Sequence, residues 1–118
     1  MGKSDFVDYV VHDLLSGLDN IRSRAMFGGH GIYRDDVFFA IIVDDQLYFK
    51  VDDIHKKKYE KLGSKPFSYL SKGKKIVMSY WEVPIEIMDD REMIARWAEA
   101  SCKIVKSKNK RKLAFKKR

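Results

Sequence analysis

The chain has 118 residues, with 24 Lys and Arg against 17 Asp and Glu and a formal net charge of +7. This length suits one domain, and a content of 45% hydrophobic and 13% aromatic residues argues against disorder because it supplies the material of a core. No apolar run reaches the roughly 20 residues that cross a bilayer, and no secretion signal is recognisable, so a cytoplasmic protein with no membrane partner is expected. The single cysteine, Cys102, excludes a disulfide framework and fits a reducing compartment.

The positive charge is concentrated in two segments. Nine of the 24 bases lie in residues 103–118, where there is no acid, so the preceding residues hold slightly more acids than bases. A second group of eight bases with one acid occupies residues 55–75. The pattern predicts a folded domain over residues 1–107, followed by a basic, flexible C-terminal tail over residues 108–118.

Hydrophobic periodicity predicts alternating groups of helices and strands. An amphipathic pattern indicates a first helix, and Asp-Asp pairs separate short β-type runs at a spacing that suits tight hairpins. The last helix is predicted to begin near Asp89, whose spacing to Glu92 allows a capping box, and to end near Ser107. The predicted helices cover residues 6–18, 54–62 and 89–107, and the predicted strands cover residues 22–27, 31–34, 37–43, 46–51, 67–71 and 76–83. This order indicates an α+β fold with an antiparallel sheet.

Two interpretations suit the Gly-Gly-His-Gly stretch at residues 28–31. Glycines between strands commonly mark a bulge or a sharp bend. The alternative is a backbone pocket with His30 at its mouth, which an enzyme would need to surround with further catalytic groups. A dinucleotide-binding loop is excluded because a strand, rather than a helix, follows the glycines.

No catalytic or metal-binding constellation is recognisable. The three histidines and Cys102 lie far apart without the short spacing of a metal site, so no metal or cofactor is expected. The Asp-Asp pairs fall where turns and helix caps are predicted, which explains them without shared chemistry. Cys102 is predicted to be a small buried side chain of the last helix rather than a nucleophile. We therefore expect a protein that is not an enzyme.

The basic segments suggest affinity for phosphates. Lysines near aromatic residues could hold a nucleic-acid backbone, although charge runs on helices are usually solvated faces. The acid-free tail would attract phosphates without regard to sequence. The candidate phosphate or nucleic-acid contacts are Lys56, Lys57, Lys72, Lys74, Lys75, Lys106, Lys108, Lys110, Arg111, Lys112, Lys116, Lys117 and Arg118.

Several stretches resemble the N-terminal domain of the TfoX/Sxy family of bacterial competence regulators. They are RAMFGGHGIY at residues 24–33, VFFA at 37–40, LYFKVDD at 47–53, PFSY at 66–69, KGK at 72–74 and MSYWEVP at 78–84. The resemblance covers roughly residues 5–105 in matching order. The residues that carry it, expected to be structural, are Met26, Phe27, Gly28, Gly29, Gly31, Tyr80, Trp81 and Pro84.

The resemblance implies a fold and a kind of function. The fold would be α-β(3)-α-β(2)-α, as in type III secretion chaperones, and no catalytic activity would be expected. Longer family members are transcriptional co-regulators with a second, helical C-terminal domain, and a stand-alone form without that domain is expected here. The expected function is a regulatory or adaptor domain that acts through protein contacts, with a transcription regulator as a partner and a homodimer by analogy. A small, sequence-nonspecific nucleic-acid-binding protein is the alternative.

Overall fold

Six strands form one antiparallel sheet in the computed structural model, which describes residues 5–26 and 28–116 and side chains up to residue 110. The strands are β1 Ile21–Met26, β2 Gly29–Arg34, β3 Val37–Val43, β4 Gln46–Lys50, β5 Pro66–Ser71 and β6 Lys74–Glu82. Their order across the sheet is β1-β2-β3-β4-β6-β5, and every neighbouring pair is antiparallel. The predicted α+β class with an antiparallel sheet is confirmed. Four strands precede the second helix, where the fold implied by the family resemblance has three.

The helices differ from the sequence prediction mainly at their ends. They are α1 Asp5–Tyr9, continued by a π-helical segment Val10–Leu14, then α2 Lys56–Lys61, the unpredicted short α3 Ile85–Met88 and α4 Arg91–Lys116. Helix α4 does not end near Ser107, because the residues that follow are good helix formers and include no glycine or proline. The residues predicted to be a flexible tail therefore continue α4 as far as Lys116, while Lys117 and Arg118 lie outside the described residues.

The Asp-Asp pairs form turns and caps, as predicted. Asp44 and Asp45 both adopt a positive φ, 50° and 58°, in the two-residue turn between β3 and β4. This left-handed conformation is one that Asp tolerates better than most residues, and it matches the twist of a hairpin. Asp52 accepts the backbone N–H of His55 at 2.9 Å and so caps the turn that leads into α2. These carboxylates are used locally.

The cap of α4 is one residue away from the predicted position. Asp90, not Asp89, accepts the backbone N–H groups of Glu92 and Met93, both at 3.1 Å. Asp89 is instead the C-terminal cap residue of α3, the short helix that the sequence pattern did not indicate. The prediction of Asp89 as the cap was wrong because α3 displaces the start of α4 along the chain.

The core lies between the sheet and the helices that cover one of its faces. Phe39, Leu47 and Phe49 are fully buried on that face, and Ile94 of α4 packs with them. Cys102 is buried in the same core, as predicted, and burial raises the pKa of its thiol to about 11. Helices thus cover the central part of one face of the sheet.

Aromatic and polar contacts hold α4 against the sheet. The ring of Tyr59 lies 4.7 Å from Trp97 and 6.4 Å from Trp81, centroid to centroid. The buried Ser101 hydroxyl donates a hydrogen bond to the Lys50 carbonyl at 2.8 Å. Burial raises the pKa of Tyr59 well above 10, so its phenol stays neutral in the core. The long helix is therefore tied directly to α2 and β4, and Tyr59 of α2 in turn contacts β6.

Replacing the capping carboxylate tests the assignment of the α4 cap. Asp90→Ala is expected to lower the free energy of unfolding by about 1 kcal/mol, since two N–H groups of the first turn lose their acceptor. Asp89→Ala, the matched control, should change it by less than about 0.5 kcal/mol. Urea denaturation followed by circular dichroism measures both, and the reverse ranking would contradict the assignment.

Candidate functional site

The face of the sheet that carries no helix has an aromatic layer of its own. Cross-strand pairing places Tyr33 beside Phe38 on this face, and their rings stack with centroids 5.1 Å apart. Phe38 in turn lies 5.8 Å from Tyr80 of β6, and Tyr48 of β4 makes an edge contact with Phe67 at 5.2 Å. These contacts run across β2, β3, β4, β6 and β5. Side chains of the sheet itself therefore partly bury this face.

An apolar cleft opens within this aromatic layer. Its volume is about 550 Å³, within the range of small-molecule and side-chain binding pockets. The cleft is lined by residues of β1, β3, β5 and β6 and of the start of β2, which are distant in sequence. The lining residues are Met26, Gly29, His30, Phe38, Ile41, Val43, Phe67, Tyr69, Met78 and Tyr80. We name this the sheet cleft.

The glycine stretch makes the bend and also shapes the cleft. Gly28 adopts a φ of +77° in the turn between β1 and β2, as the bend interpretation predicted. Gly31 is buried, and a Cβ there would lie 2.7 Å from Met26 Cε and 2.9 Å from Phe38 Cε1. Only the absence of a side chain lets these two groups lie directly over the backbone. His30 lines the cleft, so the pocket interpretation holds as well.

Residues that carry the family resemblance come together at the sheet cleft from two distant parts of the sequence. Met26, Gly29 and Tyr80 line the cleft, and Gly31 lies beneath Met26 and Phe38. The other members of that group have different positions. Trp81 packs against Tyr59 on the opposite face, Pro84 precedes α3, Gly28 is exposed in its turn and Phe27 lies outside the described residues.

Sequence reasoning missed most of the apolar lining. Phe38, Phe67 and Met78 belong to stretches that resemble the family but were not singled out as site residues. Ile41 and Val43 were assigned only to a strand. Alternate positions along a strand share a face, so the repeated aromatic and aliphatic residues could have indicated two apolar faces. The alternation does not, however, show which strands become neighbours in the sheet.

Two cation–π contacts lie beside the aromatic layer that contains the cleft. The Arg22 guanidinium lies 4.7 Å from the centre of the Tyr33 ring, and the Lys50 ammonium lies 5.2 Å from that of Tyr80. Burial, with a smaller contribution from Tyr33, raises the pKa of Tyr80 to about 12. The Tyr80 phenol is therefore neutral at physiological pH and can donate a hydrogen bond.

A second cavity of about 520 Å³ lies between the turn before α2 and the middle of α4. The Asp52 carboxylate contacts His55 Nδ1 at 2.6 Å, and Arg96 and Lys103 contribute positive charge. Burial acts to raise the pKa of Asp52, but the hydrogen bonds from His55 outweigh it and lower that pKa. No group of three or more His, Cys, Asp or Glu suited to a metal occurs among the described residues.

The predicted phosphate contacts lie on three separate elements. Lys56 and Lys57 belong to α2, where Lys56 pairs with Asp53 at 3.7 Å, and Tyr59 beside them is buried in the core. The hairpin and α4 carry the others. Lys72, Lys74 and Lys75 are exposed at the β5–β6 turn, Lys106, Lys108 and Lys110 are exposed on α4, and Arg111, Lys112 and Lys116 continue its backbone.

Filling the space at Gly31 tests the architecture of the cleft. Gly31→Ala is expected to lower the free energy of unfolding by about 1–3 kcal/mol, because the Phe38 ring must move away from the new methyl group. Gly17→Ala is the control, since its Cβ would meet Ala95 Cβ at an ordinary 3.7 Å. Equal midpoints of thermal unfolding for the two variants would show that the cleft floor tolerates a side chain.

The comparisons with known proteins agree with the motifs that meet at the cleft. The family model of the TfoX N-terminal domain matches residues 13–104. "DNA transformation protein TfoX1" of Aliivibrio fischeri (strain ATCC 700601 / ES114) is 29% identical over 66 residues, 56% of this chain. The match spans 32% of that protein's length. None of the described helices is long and apolar enough to cross a membrane. The chain belongs to the TfoX N-terminal domain family.

Proposed function

We propose that this chain is a regulatory adaptor domain of the cytoplasm that acts by binding another protein at the sheet cleft. Membership of the TfoX N-terminal domain family points to a regulatory rather than a catalytic role. The similar protein from Aliivibrio fischeri carries the name of a DNA transformation protein, which supports a competence-related process. A transcription regulator is the proposed class of partner.

One observation carries this proposal: residues of the family motif converge on an apolar cleft. Met26 and Gly29 come from the first glycine motif and Tyr80 from the last strand. Among the ten lining residues there is no Asp, Glu, Lys or Arg. Burial and apolar contact are what such a lining offers a ligand, so the arrangement supports binding rather than chemical conversion.

A charge placed in the cleft tests the proposed protein contact. Ile41→Glu is expected to reduce retention of native-host proteins on the immobilised domain at least about tenfold, because the partner's apolar groups would meet a carboxylate. Quantitative mass spectrometry after nuclease treatment measures retention.

Ile85→Glu provides the matched control, because Ile85 is 67% exposed on α3, away from the cleft. Both variants must keep the wild-type circular dichroism spectrum. Proteins retained equally by wild type and Ile41→Glu would contradict the cleft as the contact surface.

We also propose an auxiliary phosphate affinity for the basic end of α4. Lys106, Lys108 and Lys110 are exposed on a helix whose buried contacts end near Ile104. Within the described residues, none of these three lysines forms an ion pair with an acid. Cations that are free to approach phosphates release counterions on binding, without reading the base sequence.

Neutralising that helix end separates the auxiliary role from nucleic-acid binding as the main function. Changing Lys106, Lys108 and Lys110 to Gln is expected to weaken binding to duplex DNA and to reduce the salt slope by up to about 3, one for each phosphate that is no longer neutralised. Fluorescence anisotropy across a salt series measures both quantities.

The corresponding change of Lys72, Lys74 and Lys75 to Gln is the comparison. Loss of DNA binding with the hairpin variant, but not with the α4 variant, would favour the alternative of a nucleic-acid-binding protein that uses the hairpin.

A homodimer remains a further prediction, and sedimentation equilibrium measures the oligomeric state.

A further inference from the structure

The hairpin of β5 and β6 exposes apolar side chains on both of its faces. Tyr69 and Ile76 pair across the strands on the face of the sheet cleft, with exposed fractions of 46% and 37%. On the other face, Leu70 and Val77 are 77% and 58% exposed. A partner packed on one face would leave the other in water. A strand added to the edge of the hairpin would contact both.

Strand β5 offers such an edge. It forms the end of the sheet, with β6 as its neighbour. The two-residue turn at Lys72 and Gly73 has positive φ at both positions, 52° and 78°. Because hydrogen-bonded and non-bonded pairs alternate from such a turn, the N–H and C=O groups of Ser68 and Leu70 point towards the free edge.

The beginning of β5 is closed to pairing, which defines the length of the open edge. Pro66 has no N–H group, and the register of β5 against β6 shifts between Pro66 and Ser68. The open edge therefore covers residues 68–71. The opposite end of the sheet, β1, is less suited to pairing because it displays the exposed charges of Arg22 and Arg24.

The charge around the open edge has one sign. Residues 61–81 contain five lysines and no acid. Three of them, Lys72, Lys74 and Lys75, are exposed at the turn that adjoins the open edge, and no ion pair engages them within the described residues. A segment with acidic residues at the end near the turn would gain from this field, whereas a basic segment would be repelled.

We propose that residues 68–71 bind an extended segment of another protein as a seventh strand, which is apolar at adjacent positions, and so on both of its faces, and acidic at the end near the turn. The inference rests on the proposed adaptor function and names its partner chemistry. The apolar side chains of the bound strand lie against Tyr69 on one face and Leu70 on the other. Its carboxylates lie beside Lys72, Lys74 and Lys75.

Two other occupants fit the hairpin less well. Insertion into a bilayer would carry the charged turn into hydrocarbon first, which is costly. A second copy of the chain would pair antiparallel about a two-fold axis and bring Lys65 of one copy close to the lysine-rich turn of the other. Like charges at both ends oppose that arrangement.

Selection from a displayed library of random decapeptides tests the proposal on the full chain. The expected consensus has apolar residues at adjacent positions and carries Asp or Glu at one end. A synthetic peptide of that consensus should slow amide hydrogen exchange at Ser68 and Leu70 on binding. Basic consensus sequences, helical consensus sequences or no enrichment at all would each overturn the proposal.

A proline in the open edge separates backbone pairing from side-chain contact. Leu70→Pro removes an outward N–H that β6 does not need and should weaken peptide binding about tenfold or more. Leu70→Ala keeps the N–H and should weaken binding about threefold or less. Equal losses for the two variants would overturn strand addition.

Reversing the charge of the turn tests the preference for acidic segments. The combined substitutions Lys74→Glu and Lys75→Glu leave the edge intact and should transfer the preference to lysine-containing peptides. An unchanged preference would overturn the charge argument.

The cleft variant distinguishes this proposal from the proposed function. If Ile41→Glu abolishes host-protein retention while Leu70→Pro binds the peptide normally, the adaptor function holds and strand addition is overturned. If Leu70→Pro loses both the peptide and the host proteins while Ile41→Glu keeps them, strand addition holds and the sheet cleft is not the contact.

Discussion

The unequal covering of the two sheet faces shapes the rest of this molecule. Helix α4 lies against β3 and β4, held by the contact of Trp97 with Tyr59 and by the hydrogen bond from Ser101 to Lys50. The described helices leave the opposite face to the strands themselves. Because a six-stranded sheet with apolar side chains on both faces must shield each of them from water, the uncovered face closes partly through its own aromatic residues.

The aromatic residues cover this face incompletely, and the part that they leave uncovered is the sheet cleft. Flat rings such as Tyr33 and Phe38 stack over the strands, and Gly31 lets Phe38 approach the backbone. The cleft stays open between β3 and the β5–β6 hairpin, which joins the sheet through a short pairing of β6 with β4. The cleft is therefore an apolar surface that the described helices do not cover.

At the edge of the sheet, the hairpin also has apolar side chains that no described helix covers. Its exposed Leu70 and Val77 lie on the helix side but are not covered by a described helix, and Tyr69 continues the aromatic layer on the other side. The lysines of the turn, Lys72, Lys74 and Lys75, adjoin this apolar edge. The positive charge of the chain thus has three structural contexts: α2, the hairpin, where it adjoins an apolar edge, and α4, where it extends a helix beyond the core.

The sequence by itself determined the features that depend on near neighbours, while those that depend on distant neighbours were decided by the tertiary structure. Asp44 and Asp45 indicate a tight turn because their conformational preferences are local, and the short strands follow from alternation. The motif around Gly31 indicated the family but not why glycine is needed there, since Phe38 approaches it only through strand pairing. The displacement of the α4 cap to Asp90 needed the packing of α3 against α4. Helix and turn preferences act within a few residues, but the cleft and the open edge exist only once the strands have a spatial order, and that order is set by which faces can be buried together.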